Sequence, residues 1–163
     1  MKTRLKVARW VVLAGSVLAL CAASWCATSA AALWRPHQQS DLFTQAVYAY
    51  RQWQSTGLYL NSGDRVTLTA RGQWSYSPVV GFNGPEGGRW APTWYPLPSA
   101  LGGSLLGRVG ETGPAFFVGR GTSFTTTEKG LLYVGINDDV LGDNEGALTL
   151  KIEVVSPTPT PAP

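Results

Sequence analysis

The chain has 163 residues with a formal net charge of +3, and only 14% of its residues are charged. It also contains 19 glycines and 11 prolines, and aromatic residues make up 11% of the chain. The length fits one ordinary domain. The composition excludes a coiled coil and a highly charged disordered chain, and it favours a turn-rich β domain.

The N-terminus has the pattern of a secretory signal. Four basic residues and no acid lie in residues 1–9, an apolar stretch follows at 10–21, and small residues occupy 27–32. This order predicts a signal peptide over 1–32, cleaved after Ala30 or Ala32. The protein is then secreted, and the alternative is an uncleaved N-terminus that anchors it to the cell envelope.

Removal of this leader changes the charge balance of the domain. The leader holds four of the 13 basic residues and none of the ten acids, so nine basic residues remain against ten acids, a net charge of −1. No Lys/Arg cluster is left to follow a phosphate backbone, which excludes a nucleic-acid partner. Both cysteines, Cys21 and Cys26, also lie in the leader. The domain therefore has no thiol for a disulfide, a nucleophile or a thiolate metal site.

Residues 33–45 are polar and irregular and are predicted to form a linker, which contains the only histidine, His37. The domain is predicted over 46–155. Its first strands are expected at 46–50, 53–60 and 65–70, where alternation of Val66, Leu68 and Ala70 with polar residues indicates a half-buried strand. The turn cluster at 61–64 predicts that the second and third of these strands form a hairpin.

The remaining domain reads as further short strands separated by loops. A short strand holds Trp74 and Tyr76, and residues 77–103 are predicted to form a long loop. Later strands are expected at 104–110, 116–119, 121–127, 130–136 and 147–155. Trp53 and Trp74 are predicted core residues because large aromatics in strands usually pack inside. The pattern predicts an all-β sandwich or jelly roll.

The C-terminal residues 156–163 alternate proline with small residues. Proline lacks the backbone donor that a sheet interior needs, so this segment is predicted to be an extended spacer outside the domain.

An acidic loop at 137–146 is the sharpest chemical feature. Four of the ten acids lie within 138–145, between two of the most apolar predicted strands. Calcium takes several carboxylate, amide and carbonyl oxygens, which suits this loop. No histidine or cysteine lies nearby, which disfavours zinc and copper. The alternative is a solvated acidic turn without a metal.

Several segments together resemble the PA-IL-like galactophilic lectins of bacteria. The resemblance spans roughly 46–155, and the order and spacing of its pieces are fairly specific. The pieces lie at 58–60, 63–70, 72–78, 84–87, 105–110, 136–138 and 143–150. The resemblance implies a jelly roll of the galactose-binding type that binds sugar through calcium.

The resemblance also implies the ligands. By this likeness, calcium would be held by the side chains of Asp138, Asp143 and Asn144, by the carbonyl of Tyr76, and by a further carbonyl from 139–141. Vicinal hydroxyls of the sugar would complete the calcium shell. The acidic loop is shorter than in the family, and Asp143 stands where better-known members carry asparagine.

The sequence differs most from the family in the loop that supplies polar contacts to the sugar. Here that loop holds Trp90, Trp94 and Tyr95. Exposed rings could stack on the apolar face of a sugar, which makes these residues candidate ligand-binding residues. The alternative is that they plug the end of the sandwich.

The sequence thus predicts a secreted, calcium-dependent carbohydrate-binding module without catalytic activity. The alternative is a structural or adhesion sandwich in which the acidic loop has only a structural role. An enzyme is disfavoured because His37 lies in the predicted linker and gives no usable Ser-His-Asp triad. A pair of carboxylates for glycoside hydrolysis could come from Glu86, Glu111 and the acidic loop, but the sequence does not fix the distance between them.

Overall fold

The computed structural model describes residues 40–89 and 91–157. These residues form ten strands and one 3₁₀ turn, and no α-helix occurs among them. The strands are β1 (Ser40–Tyr48), β2 (Gln54–Leu60), β3 (Arg65–Ser75), β4 (Phe82–Asn83), β5 (Glu86–Arg89), β6 (Gly102–Val109), β7 (Phe116–Phe117), β8 (Gly121–Thr125), β9 (Gly130–Ile136) and β10 (Glu145–Val155). The described part of the chain contains no helix that is long and apolar enough to span a membrane.

The strands form two antiparallel sheets. The first sheet has the order β1-β10-β3-β4, and β8 also pairs with β3. The second has the order β2-β9-β6-β5, and β7 also pairs with β6. Two sheets with alternating inward side chains pack as a sandwich, which confirms the predicted all-β sandwich class.

The core lies between the inner faces of the two sheets. Alternation along β3 and β10 and the continuous apolar run of β9 supply most of it, as the sequence patterns predict. Its fully buried members include Val66, Leu68, Trp74, Leu132, Val134, Leu148, Leu150 and Ile152. Trp74 is therefore a core residue, as predicted. Trp53 is only half-buried, and the guanidinium of Arg108 lies 4.4 Å from its ring centroid, so its assignment to the core was wrong.

The predicted hairpin between 53–60 and 65–70 is also wrong. β2 pairs with β9 in the second sheet, whereas β3 pairs with β10 and β8 in the first. The turn at 61–64 exists, with the amide of Asp64 donating to the carbonyl of Asn61. This turn carries the chain from the second sheet to the first. The hairpin prediction failed because a turn cluster indicates where the chain reverses but not which strands pair.

The N-terminal boundary of the sandwich lies earlier than predicted. β1 begins at Ser40 and pairs with β10 along its whole length, so residues 40–45 belong to an edge strand rather than to a linker. These residues are mostly exposed, which removed the alternation that would have marked a strand. The predicted signal peptide, residues 33–39 with His37, and residues 158–163 lie outside the described residues.

Two more boundaries differ from the prediction. The segments around 65–70 and 74–76 form the single strand β3, which passes through Gly72 with φ of +108°. A side chain there would also lie 3.2 Å from the carbonyl oxygen of Ala147. The predicted loop 77–103 contains the short strands β4 and β5 and the start of β6. By contrast, β9 has the predicted bounds.

Candidate functional site

The end of β9 places two neighbouring polar side chains inside the protein. Asn137 and Asp138 follow the buried Ile136 directly, and they are 0% and 4% exposed. The backbone of Asn137 continues the pairing with β6, donating to the carbonyl of Ser104 at 2.8 Å and accepting from the amide of Gly103 at 3.0 Å. Because the chain is still held by the sheet at this point, both side chains start from a rigid backbone.

The side chain of Asn137 organises the loop before β6. Its Oδ1 accepts from the amide of Leu97 at 2.9 Å, and its Nδ2 donates to the carbonyl of Leu97 at 2.9 Å. Nδ2 also lies 3.3 and 3.1 Å from the carbonyls of Ala100 and Leu101, so its two hydrogens are shared among three acceptors. One buried amide therefore fixes the segment 97–101 against the end of β9.

The carboxylate of Asp138 accepts a hydrogen bond from Asn144 Nδ2, which lies 2.9 Å from its Oδ2. Burial raises the pKa of Asp138, and the neighbouring Tyr95 hydroxyl, the Asn144 amide and the backbone amides of Asp139 and Val140 oppose that rise. The site thus keeps a poorly hydrated carboxylate in a fixed orientation.

Asn144 faces Asp138 from the other side of the acidic loop. It is 7% exposed and follows the 3₁₀ turn Leu141–Asp143. Its Nδ2 donates to Asp138 and also to the carbonyl of Ala49 at 3.1 Å. Its Oδ1 is buried and has no hydrogen-bond partner among the described residues. A buried amide oxygen without a partner is costly and indicates a missing water, ion or ligand.

Two tyrosines pack beside this pair. Tyr95 is half-buried, and burial together with the charge of Asp138 raises its pKa. Tyr76 is buried, and burial raises its pKa more than the donated amide of Arg89 lowers it. The backbone of Gly103, with φ of +74°, passes so close to the Tyr76 ring that a Cβ would collide with its Cδ1. This close approach places Tyr76 at the start of β6, beside the Asn137 backbone.

The structure brings only part of the predicted site together. Asp138 and Asn144 are in direct contact, and Tyr95 lies half-buried beside them. Asp143 is exposed, and in the described ranges no hydrogen bond joins its side chain to this pair. Trp94 is 69% exposed and free to meet a ligand, whereas Trp90 lies outside the described residues. The ligand roles predicted for these residues stay predictions.

The acidic residues of the loop do not form a carboxylate cluster. Asp139, Asp143 and Glu145 are exposed, and only Asp138 is buried. In residues 40–89 and 91–157, no group of three or more His, Cys, Asp or Glu side chains is placed to hold a metal ion. A cation here would depend on amide and carbonyl oxygens as much as on carboxylates, which calcium accepts.

Sequence reasoning missed two contributors to the site. Asn137 was taken only as part of the acidic loop, although an asparagine directly after a buried strand is a signal for a buried polar anchor. The carbonyl of Ala49 was missed because no pattern in the sequence relates the end of β1 to residue 144, which lies 95 positions away.

Replacing Asn137 with alanine is expected to lower the free energy of unfolding by about 2–4 kcal/mol, because each buried polar group left unpaired costs about 1–3 kcal/mol and the loop relaxes in part. Urea unfolding measures this loss, and amide hydrogen exchange should show faster exchange at the Leu97 amide. Gln73→Ala is the matched control, since Gln73 is exposed on β3. A variant as stable as wild type would show that Asn137 does not anchor the loop.

Comparisons with known proteins are consistent with this architecture. No known protein family and no curated protein matches the chain by sequence. Among solved structures, the chain is similar to the N-terminal domain of EclA, described as a PllA-like lectin, with a TM-score of 0.57 and 21% sequence identity. The match covers 69% of this chain and 97% of that chain. The likeness confirms the lectin resemblance at the level of the fold: the described part of the chain forms a β-sandwich similar to that of this domain.

Proposed function

We propose that this protein is an exported, calcium-dependent carbohydrate-binding module without catalytic activity. The observation that carries the proposal is the buried pair of Asp138 and Asn144, in which an amide oxygen has no partner. The fold likeness to a lectin domain supports carbohydrate as the class of ligand. Fold alone does not select a function, so the proposal depends on the site.

The residues at this site fit calcium by their donor chemistry. The Asn144 amide nitrogen now lies between Asp138 Oδ2 and the Ala49 carbonyl. Because the two ends of an amide are nearly the same size, a half-turn of the side chain would point Oδ1 at these two oxygens. Three oxygens facing one another repel unless a cation lies among them, and calcium takes such oxygen ligands. In the proposal, Asp143 and the Tyr76 carbonyl extend this set.

Bound calcium would supply a Lewis-acidic centre for sugar hydroxyls. The protein's own contribution is orientation: the donors around Asp138 fix its carboxylate, and Asn137 fixes the loop on the adjacent side. Trp94, exposed beside Tyr95, offers an aromatic face to the apolar side of a sugar ring. Tyr95 itself serves to position Asp138.

The alternative, a structural or adhesion module, is favoured by one observation. The Asn137 side chain makes four hydrogen bonds to the loop 97–101, so this end of the sandwich is already organised for rigidity. In that case calcium would only stiffen the acidic loop. The protein would then melt at a higher temperature with calcium and bind no glycan.

Calorimetric titration with a panel of methyl glycosides, including galactoside, mannoside and fucoside, tests the proposal. Binding is expected with calcium and is expected to disappear after calcium removal. Asp138→Ala should weaken binding by more than about 100-fold, because loss of an outer partner of a metal ligand already costs about 10–100-fold. Asp139→Ala removes an exposed neighbouring carboxylate and should bind nearly as well as wild type.

Two results would contradict the proposal. Sugar binding that is equal in Asp138→Ala and wild type would remove the site from the mechanism. Calcium-dependent melting without binding of any glycan would instead support the structural alternative.

A further inference from the structure

We infer that the outer face of the first sheet carries a second ligand site, which takes the negatively charged group of an acidic saccharide. A groove of about 490 Å³ lies on this face, and its lining residues are Thr44, Thr69, Arg71, Thr149 and Lys151. Its volume falls in the range of about 300–1,000 Å³ that is typical of small-molecule sites. The choice of a saccharide rests on the proposed function, whereas the anionic group follows from the groove itself.

The strand register places the five lining side chains next to one another. Lys151 of β10 lies opposite Thr44 of β1 and opposite Thr69 of β3. Two residues earlier on β10, Thr149 lies opposite Arg71. The residues that alternate with Thr149 and Lys151 on β10 are buried in the core. Since residues two apart in a strand point to the same side of a sheet, the five polar side chains share the outer face.

Two cations border the groove without an acidic partner. Lys151 and Arg71 are both exposed, and they are diagonal neighbours across the β10–β3 pair, within reach of each other for long side chains. All ten acidic residues lie in the part of the chain that the structure describes, and the only ion pair there joins Arg120 to Glu86. An anion bound between Lys151 and Arg71 would therefore relieve the repulsion between two like charges.

One acidic residue on this face lies close to the groove along β10. Glu153 follows Lys151 by two residues and so points to the same side of the sheet. It does not line the groove, and it forms no ion pair with Lys151 or Arg71. The register places it on the side of Lys151 that is away from Arg71. The space between the two cations thus keeps its positive charge.

The three threonines of the groove add free hydroxyls beside the cations. No side-chain hydrogen bond among the described residues occupies the hydroxyls of Thr44, Thr69 and Thr149. By contrast, the hydroxyl of Thr67, the preceding outward residue of β3, lies 3.0 Å from Ser123 Oγ and is hydrogen-bonded to it. A hydroxyl can donate to an anionic oxygen or accept from a sugar hydroxyl, whereas arginine and lysine only donate. The groove is therefore rich in donors and calls for a ligand rich in oxygen acceptors.

Together these features select an acidic sugar over a neutral one. Arginine meets a carboxylate or sulfate with two parallel N–H groups, and lysine adds a compact positive charge. The volume of the groove leaves room for the sugar ring that carries the charged group, and the ring hydroxyls would meet the threonines. No aromatic side chain lines the groove, so a neutral sugar would find neither a stacking surface nor a partner for the two cations.

The test titrates ¹⁵N-labelled protein in calcium-depleted buffer with galactose 6-sulfate, galacturonate, neutral methyl β-galactoside and sodium sulfate. At least one acidic sugar is expected to shift the amide signals of Arg71, Thr149 and Lys151, and the neutral sugar is expected to leave them unchanged. Binding should weaken when the ionic strength rises from about 0.01 to about 0.15 M, because the Debye length falls from about 30 to about 8 Å. Asp138→Ala should give the same shifts, so failure of the proposed calcium site would leave this result intact.

Four charge variants assign the binding to the groove. Lys151→Gln and Arg71→Gln each remove one exposed cation and should weaken binding about fivefold, the upper range for exposed ion pairs. Glu153→Gln removes the neighbouring negative charge and should strengthen binding about twofold. Lys129→Gln is the matched control, since it removes an exposed lysine that does not line the groove and should bind as wild type does.

Three results would overturn the inference. The first is the absence of shifts with both acidic sugars. The second is equal binding by wild type, Lys151→Gln and Arg71→Gln, which would place any bound sugar elsewhere. The third is sodium sulfate that binds as tightly as galactose 6-sulfate, which would mean that the groove takes an inorganic anion only and not a saccharide.

Discussion

Trp74→Ala is expected to lower the free energy of unfolding by about 3–5 kcal/mol, the usual cost of truncating a fully buried aromatic side chain. Trp74 lies on β3 of the first sheet and is 0% exposed. Its Nε1 donates at 2.7 Å to the carbonyl of Gly103, on β6 of the second sheet. The indole therefore fills the core and also joins the two sheets near the proposed site. Urea unfolding followed by far-UV circular dichroism measures the effect.

Two controls separate packing from other effects of removing a tryptophan. Trp94→Ala removes an exposed indole and is expected to change stability by no more than about 0.5 kcal/mol. Trp74→Phe keeps most of the volume but loses the donor, and Asn83 Nδ2 still donates to the same carbonyl at 3.1 Å. Trp74→Phe should therefore lower the free energy of unfolding by less than Trp74→Ala does. A Trp74→Ala protein within about 1 kcal/mol of wild type would show that this end of the core repacks freely.

The strands that were predicted well are those whose burial is regular. β9 is apolar along its length because one face packs in the core and the other is largely covered, so its bounds follow from composition. In β10, Leu148, Leu150 and Ile152 are buried and the intervening residues face outward, which gives the period of two. Hydrophobic pattern thus identifies strands that the core itself selects.

The predictions that failed concern which strands pair with each other and where an edge strand begins, and local sequence encodes both only weakly. The first half of β1 is exposed, so pairing with β10 rather than side-chain burial makes it a strand. The turn at 61–64 was predicted correctly, but β2 and β3 belong to different sheets because each finds its partner elsewhere in the chain. Such long-range pairing depends on the whole topology.

The candidate site was also predicted only in part. Asp138 and Asn144 were named from the family resemblance, and the structure places them in contact. Tyr95 is half-buried beside Asp138, and its predicted contact with a sugar stays a prediction.

The stability of the calcium-depleted protein is expected to fall as pH rises through the raised pKa of Asp138. Burial raises this pKa in the folded protein, so between the ordinary pKa of aspartate, about 3.9, and the raised value the native state binds more protons than the unfolded chain. The stabilising contribution is complete below the ordinary value and is lost above the raised one. Calcium should reverse this trend, because it binds the ionised carboxylate and competes with the proton.

The measurement compares melting temperatures of wild type and Asp138→Asn at pH 4.5 and 7.5, with added calcium and in resin-depleted buffer. Asparagine does not titrate, so the difference between the two proteins isolates this carboxylate from all other acids. Without calcium, the difference in melting temperature, wild type minus variant, should decrease from pH 4.5 to 7.5. With calcium it should increase, because only wild type supplies an ionised ligand at the higher pH. A difference that changes in the same direction with and without calcium would mean that Asp138 does not bind the ion.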